Sequence, residues 1–204
     1  LRDRWTQLCG TAAVDAPLAR EPWLVIEREY SAPARHYHTL EHISEVLSLL
    51  DALYAPDPVP VALELAGWWH DIVYDTTRSD NESASATVAG EQLSLVGFDA
   101  ATVDRTAWLI LTTAAHHRER TDEQALLFSD VDLAILGAPS DRYERYMTAV
   151  RMEYSHIDEP AWRRGRGDVL TTFLDRPVLY HHPRLHDWDA RARHNLSAEL
   201  ARLR

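Results

Sequence analysis

Apolar residues recur at three- and four-residue spacing along almost the whole chain, and that periodicity restricts it to helices. Strands would show alternation over four to eight residues joined by Asn-Gly or Asp-Gly turns. Neither dipeptide occurs, and only seven glycines are present to make tight turns of other kinds. Ile43, Val46, Leu47, Leu50, Leu53 and Tyr54 mark one face of a helix that Pro56, Pro58 and Pro60 stop. The same spacing predicts helices from Val61 into the Tyr74 region, over Asn81–Val96, Ala101–His117 and Asp122–Leu136, and over Asp141–His156, Pro160–Leu174 and Asp187–Leu203. Asp80, Asp99, Asp122 and Ser140 stand where caps or first-turn residues belong. The expected fold class is an all-α helical bundle forming a single domain over residues 1–204, a length that buries a sizeable core.

Charge then narrows the function. The 32 acidic residues against 21 basic ones disfavour a nucleic-acid polymer as partner, because phosphate backbones are bound through Lys and Arg. All the basic residues are arginine; the absence of lysine removes Schiff-base chemistry, a P-loop lysine and a kinase lysine. Cys9 is the only cysteine, so this chain alone builds no disulfide, thiolate zinc site or iron-sulfur cluster. No stretch approaches the roughly 18 apolar residues of a membrane span, and the first ten residues lack a signal-peptide core, so no membrane partner and a cytoplasmic location are expected.

Within the helical pattern, "ELAGWWHDIVYD" sets His70 and Asp71 among apolar neighbours. A buried ionised carboxylate is costly unless a cation or hydrogen-bond donors compensate it. Upstream, His42 borders the apolar stripe, with Val46, Leu49 and Leu53 four, seven and eleven positions on. Downstream, Asp130 and Asp132 sit in the apolar segment "LLFSDVDLAILG", and spacing does not choose between them. One divalent metal accounts for these oddities together, since imidazole and carboxylate suit it and its charge compensates aspartate. A second His-Asp pair, His186-Asp187, lies among Arg184, Asp189, Arg191 and Arg193 and reads as solvated surface.

The order His42, His70-Asp71, Asp132 resembles the signature of the HD superfamily of metal-dependent phosphohydrolases, an all-α fold. "RHYHTLEH", "WWHDIVYD", "SDNESASA", "SDVDLAILG", "YERYMTAVRMEY", "GRGDVLTTFL" and "ARARHNL" are similar to the uncharacterised predicted HD phosphohydrolases of bacteria, over most of the chain from Arg35 to Leu200. The resemblance implies a single HD-type domain that hydrolyses a small phosphorylated molecule, with a nucleotide expected. It implies His42, His70, Asp71 and Asp132 as ligands of one Mn, Fe, Mg, Co or Zn ion, with Asp130 as a supporting or alternate ligand.

The spacing of His38 and His42 resembles the cyclic nucleotide phosphodiesterases and implies His38 as general acid, on the same side as His42 if that segment is helical. "HDIVYDT" is similar to the "HDxxEDT" of the guanosine tetraphosphate hydrolases, with Tyr74 in place of the glutamate. That likeness marks Asp75 as catalytic and Glu82 as a stand-in for the missing carboxylate. His116, next to His117, is expected near the site; members with extra histidines there hold a second metal, and dinuclear iron oxygenases are among them. Without lysine, anion recognition falls to arginine, with Arg35 and Arg166 as the phosphate-binding candidates. A catalytically degenerate nucleotide-binding regulatory module is the non-enzymatic alternative, and a homodimer stays open.

Overall fold

The computed structural model describes residues 1–11, 14, 18–114 and 122–204. Among them are ten α-helices and no strand. The order is α1 (Arg2–Thr11), α2 (Arg20–Tyr30), α3 (Leu40–Tyr54), α4 (Val61–Trp69), α5 (Asn81–Val96), α6 (Ala100–Thr113), α7 (Glu123–Asp132), α8 (Ser140–Glu153), α9 (Glu159–Leu174) and α10 (Asp189–Leu203). Two short 3-10 turns, Leu133–Gly137 and Pro183–Trp188, link α7 to α8 and lead into α10.

Capping sets several boundaries. Asp99 accepts from the Thr102 N–H at 3.0 Å and Asp122 from the Ala125 N–H at 2.9 Å, so both are side-chain caps as expected. Asp80 occupies the cap position of α5, yet its carboxylate pairs with Arg78 instead. Thr39 and Asp158 cap α3 and α9 by bonding the N–H groups of Glu41 and Ala161.

Two predicted helices end early. The segment from Val61 stops at Trp69, and His70 and Asp71 fall in a turn. Arg35 accounts for the stop, because its guanidinium takes the carbonyls of Asp71 (2.6 Å) and Ile72 (2.8 Å), which a continuing helix would have used internally. The segment from Asp122 changes at Asp132 into a 3-10 turn. Apolar spacing survives both changes and so conceals them.

The apolar faces form two clusters. The first joins α1 to α7, with Ile43, Val46, Leu47 and Leu50 of α3 against Leu63, Leu65, Ala66 and the fully buried Trp68 and Trp69 of α4. The second gathers Tyr37, Leu136 and residues of α8, α9 and α10. Leu49 and Leu53 on α3 pack against both, which makes α3 the seam. Contact between α3 and α4 is tight at Gly67, where a Cβ would stand 3.0 Å from Leu47 Cδ2 and 3.3 Å from Val46 Cγ1.

Candidate metal centre

His42 comes from the first turn of α3, His70 and Asp71 from the turn closing α4, and Asp132 from the last residue of α7. One donor atom from each lies within 4.8 Å of the other three. His70 Nε2 stands 3.0 Å from Asp71 Oδ2 and 3.3 Å from Asp132 Oδ1, and His42 Nε2 stands 3.6 and 3.4 Å from the same two atoms. Both imidazoles are buried, at 2% and 1% exposure, so bulk water cannot solvate what they face.

The donor set fits a cation. His70 Nδ1 lies 3.2 Å from the Gly67 carbonyl, which assigns its proton to Nδ1 and leaves the Nε2 lone pair facing the quartet. His42 Nε2 is 3.1 Å from His70 Nε2, a spacing at which two lone pairs repel unless a proton or metal ion lies between. Arg35, close by in sequence space, spends its guanidinium on backbone carbonyls and not on Asp71. Burial by itself lowers the His70 imidazole, but Asp71 and Asp132 outweigh it and raise His70 well above the usual histidine range. Burial raises both carboxylates, and the histidines overcome it: His70 and His38 hold Asp71 low, while His42 and His70 hold Asp132 well below the carboxylate range. The two carboxylates and the two imidazole nitrogens thus face one another across a space that one cation could share.

His38 reaches the quartet by another route than the one its spacing suggested. It lies in the loop before α3, outside the helix, so the four-residue helical relation to His42 does not hold. Glu153, the last residue of α8, places it instead. Its Oε1 accepts the N–H groups of His36, Tyr37 and His38 at 2.8, 2.8 and 3.0 Å, and its Oε2 meets His38 Nδ1 at 2.8 Å. Tyr74 stacks on the His38 ring at 3.8 Å, and the His38 and His42 rings are 5.9 Å apart. Burial would raise Glu153; its bonds with His38 prevail and hold it down at about 2. Sequence reasoning missed Glu153, although a signal existed: with Tyr143, Tyr146 and Val150 it continues the buried stripe of α8.

Other expected site residues lie elsewhere. Asp130 points away from the quartet: its Oδ2 accepts the His182 N–H at 2.6 Å, and burial, partly offset by the N–H groups of His182 and His181, raises it to about 6. Two residues along a helix turn a side chain by roughly 200°, which is why only Asp132 faces the donors. Arg35 is a strut between the loop of His38 and the turn of Asp71, 8% exposed, and its guanidinium is not free for phosphate. Arg166 is also committed: Nε and an amine hold Glu199 at 2.7 and 3.0 Å inside the second cluster. Asp75 is exposed and accepts from the Thr77 N–H and hydroxyl, closing a turn outside the quartet. Glu82 lies half-buried in the first turn of α5. His186-Asp187 is exposed as expected, and His116 lies outside the described residues.

No family model matches the chain, and no curated protein does. Solved structures match over nearly its whole length. The phosphodiesterase domain of the rhodopsin phosphodiesterase of Salpingoeca rosetta aligns at a TM-score of 0.61 and 14% identity, covering 99% of this chain and 85% of that one. The phosphodiesterase domain of the RhoPDE fusion protein of the same choanoflagellate gives the same score and identity, covering 99% and 88%. The chain therefore shares the all-helical fold of these phosphodiesterase domains, and the His/Asp quartet lies within that fold.

Proposed function

We propose that the chain is a metal-dependent phosphohydrolase acting on a small phosphorylated molecule. The quartet carries this reading: two buried imidazoles and two carboxylates converge within 4.8 Å. They would hold one divalent ion from the set Mn, Fe, Mg, Co and Zn, which when bound lowers the pKa of water toward about 7 and polarises a phosphoryl oxygen. The chain's own residues supply the rest. Gly67 fixes the tautomer of His70, so that Nε2 is the donor. Glu153 accepts a hydrogen bond from the Nδ1–H of His38, leaving Nε2 as the atom that would hand a proton to the leaving oxygen. Tyr74 fixes the plane of that ring, and Arg35 ties its loop to the turn of Asp71.

The decisive pair of variants is Asp71→Ala and Asp187→Ala. Elemental analysis after Mn or Fe supplementation, with a phosphatase assay on the same samples, should find neither metal nor turnover in the first. The second should match the parent, since loss of an exposed charge shifts stability by less than about 0.5 kcal/mol. A parent protein that never retains metal sinks the reading.

A further inference from the structure

We propose that the organic part of the substrate is an apolar alkyl or aryl group, held in the cleft that opens beside the quartet. This rests on the phosphohydrolase reading above and names its substrate class. The cleft has a volume of about 500 Å³, in the range of small-molecule sites, and His42 and Asp132 form one end of it. Val46, Leu49, Ile135 and Trp188 wall it, from α3, the 3-10 turn after α7, and the entry to α10. Its lining is overwhelmingly hydrocarbon, so a group that leaves the reacting phosphate and enters the cleft is desolvated against apolar surface.

A nucleoside fits those walls poorly. Reading a base edge takes paired donors and acceptors, and among the described residues no asparagine or glutamine lines the cleft, whose neutral polar lining is limited to Tyr37 and Ser48 besides His42. The charged side chains that line it are in part engaged. Arg142 and Glu45 hold each other through two contacts of 2.7 Å, while Arg191 gives its Nε proton to the Gly137 carbonyl and lies over the Trp188 ring. A base buried there would leave polar edges unpaired, which is unfavourable, whereas an alkyl chain or phenyl ring leaves nothing unpaired. The cleft is continuous with the quartet through His42 and Asp132, so one ester spans both.

Non-hydrolysable phosphonates test this by calorimetry on the full chain loaded with Mn, without reference to turnover. Each buried methylene favours binding by about 0.8 kcal/mol, roughly fourfold. Octylphosphonate should therefore bind at least about tenfold more tightly than methylphosphonate, and the phosphonate of adenosine should show no such gain. Ala134→Trp, which places a bulky side chain in the cleft, should return octylphosphonate to the affinity of methylphosphonate while methylphosphonate still binds. If that variant is misfolded by circular dichroism, Ile135→Asn provides a polar wall and should reduce the gain in the same way. Methylphosphonate binding with no gain from the octyl chain overturns this proposal and leaves the phosphohydrolase reading intact. An adenosine phosphonate tighter than octylphosphonate also overturns it, in favour of a nucleotide. Methylphosphonate that does not bind the loaded protein overturns both.

Discussion

Two polar clusters lie inside the molecule, one at the seam and one within the second apolar cluster, and they are built differently. In the second cluster, Arg166 holds Glu199 through two contacts, Tyr143 donates to Glu199 at 2.5 Å, and the Tyr146 hydroxyl accepts from Arg166 at 3.3 Å. Every charge there has its opposite within reach. The quartet instead sets two carboxylates against two imidazoles, groups that can also act together as ligands of one cation. Burial alone therefore does not identify a site; what distinguishes the quartet is that all four of its groups offer donor atoms a metal ion can use.

The largest effect should come from removing a donor of the open cluster. Asp132→Ala should abolish metal retention and turnover, whereas Asp130→Ala, two residues away, should keep the metal. Elemental analysis of the two variants decides, and metal loss in the Asp130 variant would erase the distinction between donor and bystander. Next, His38→Ala should retain metal yet lose about 100-fold to 10,000-fold in rate on an ester with a poor leaving group. A nitrophenyl ester should suffer less, because its leaving oxygen needs little protonation. Equal losses on both substrates would make His38 a positioning residue only.

The closed cluster should answer in stability and not in metal. Glu199→Ala leaves Arg166 buried without its partner, which costs about 3–5 kcal/mol and lowers the melting temperature by roughly 10 °C. Metal content should stay at the parent value; a parallel loss of metal would show that the two clusters are not independent.

Smaller still are two pH effects of opposite sign. Glu153 is held at about 2, below its unfolded value near 4.5, so it contributes stability above pH 4.5 that is lost as pH falls toward 2. Glu153→Gln should flatten that acid limb by about 3 kcal/mol. Asp130 is raised to about 6, so stability is highest below about pH 4 and falls as pH rises through 6. Asp130→Asn should remove that fall and add about 1–3 kcal/mol at pH 8. Denaturant titrations across pH 2 to 8 check both, and identical limbs in parent and variants would contradict the assigned environments.

The grouping of the quartet was legible because its members are polar residues in apolar surroundings, in the order to which the resemblance pointed. The all-α class was legible from periodicity, although the breaks at His70 and Asp132 were not, since backbone carbonyls captured by Arg35 leave no mark on apolar spacing. Arg35 and Arg166 were misread for one reason: a sequence shows that an arginine is charged and does not show what it meets. The stripe of α9 held a clue, since Trp162, Arg166 and Leu170 follow one another at four-residue steps, which places the guanidinium indoors beside a partner. Glu153 on α8 and Glu199 on α10 interrupt buried stripes in the same manner. An ionisable residue on an apolar stripe announces an internal partner, and only the tertiary fold says whether that partner is a side chain, a loop or an ion. Glu153 and His38 are 115 positions apart, too distant for local spacing to join them.

Gly67 gives the cage a gauge. Its missing side chain lets α4 settle against Val46 and Leu47, and its carbonyl orients the ring of His70 one turn further on. Helix-to-helix distance is thereby handed directly to the gap between two imidazole nitrogens. A methyl group added at position 67 would meet Leu47 and Val46 at 3.0 and 3.3 Å, and so would press on that gap from the aliphatic side as a change of ruler.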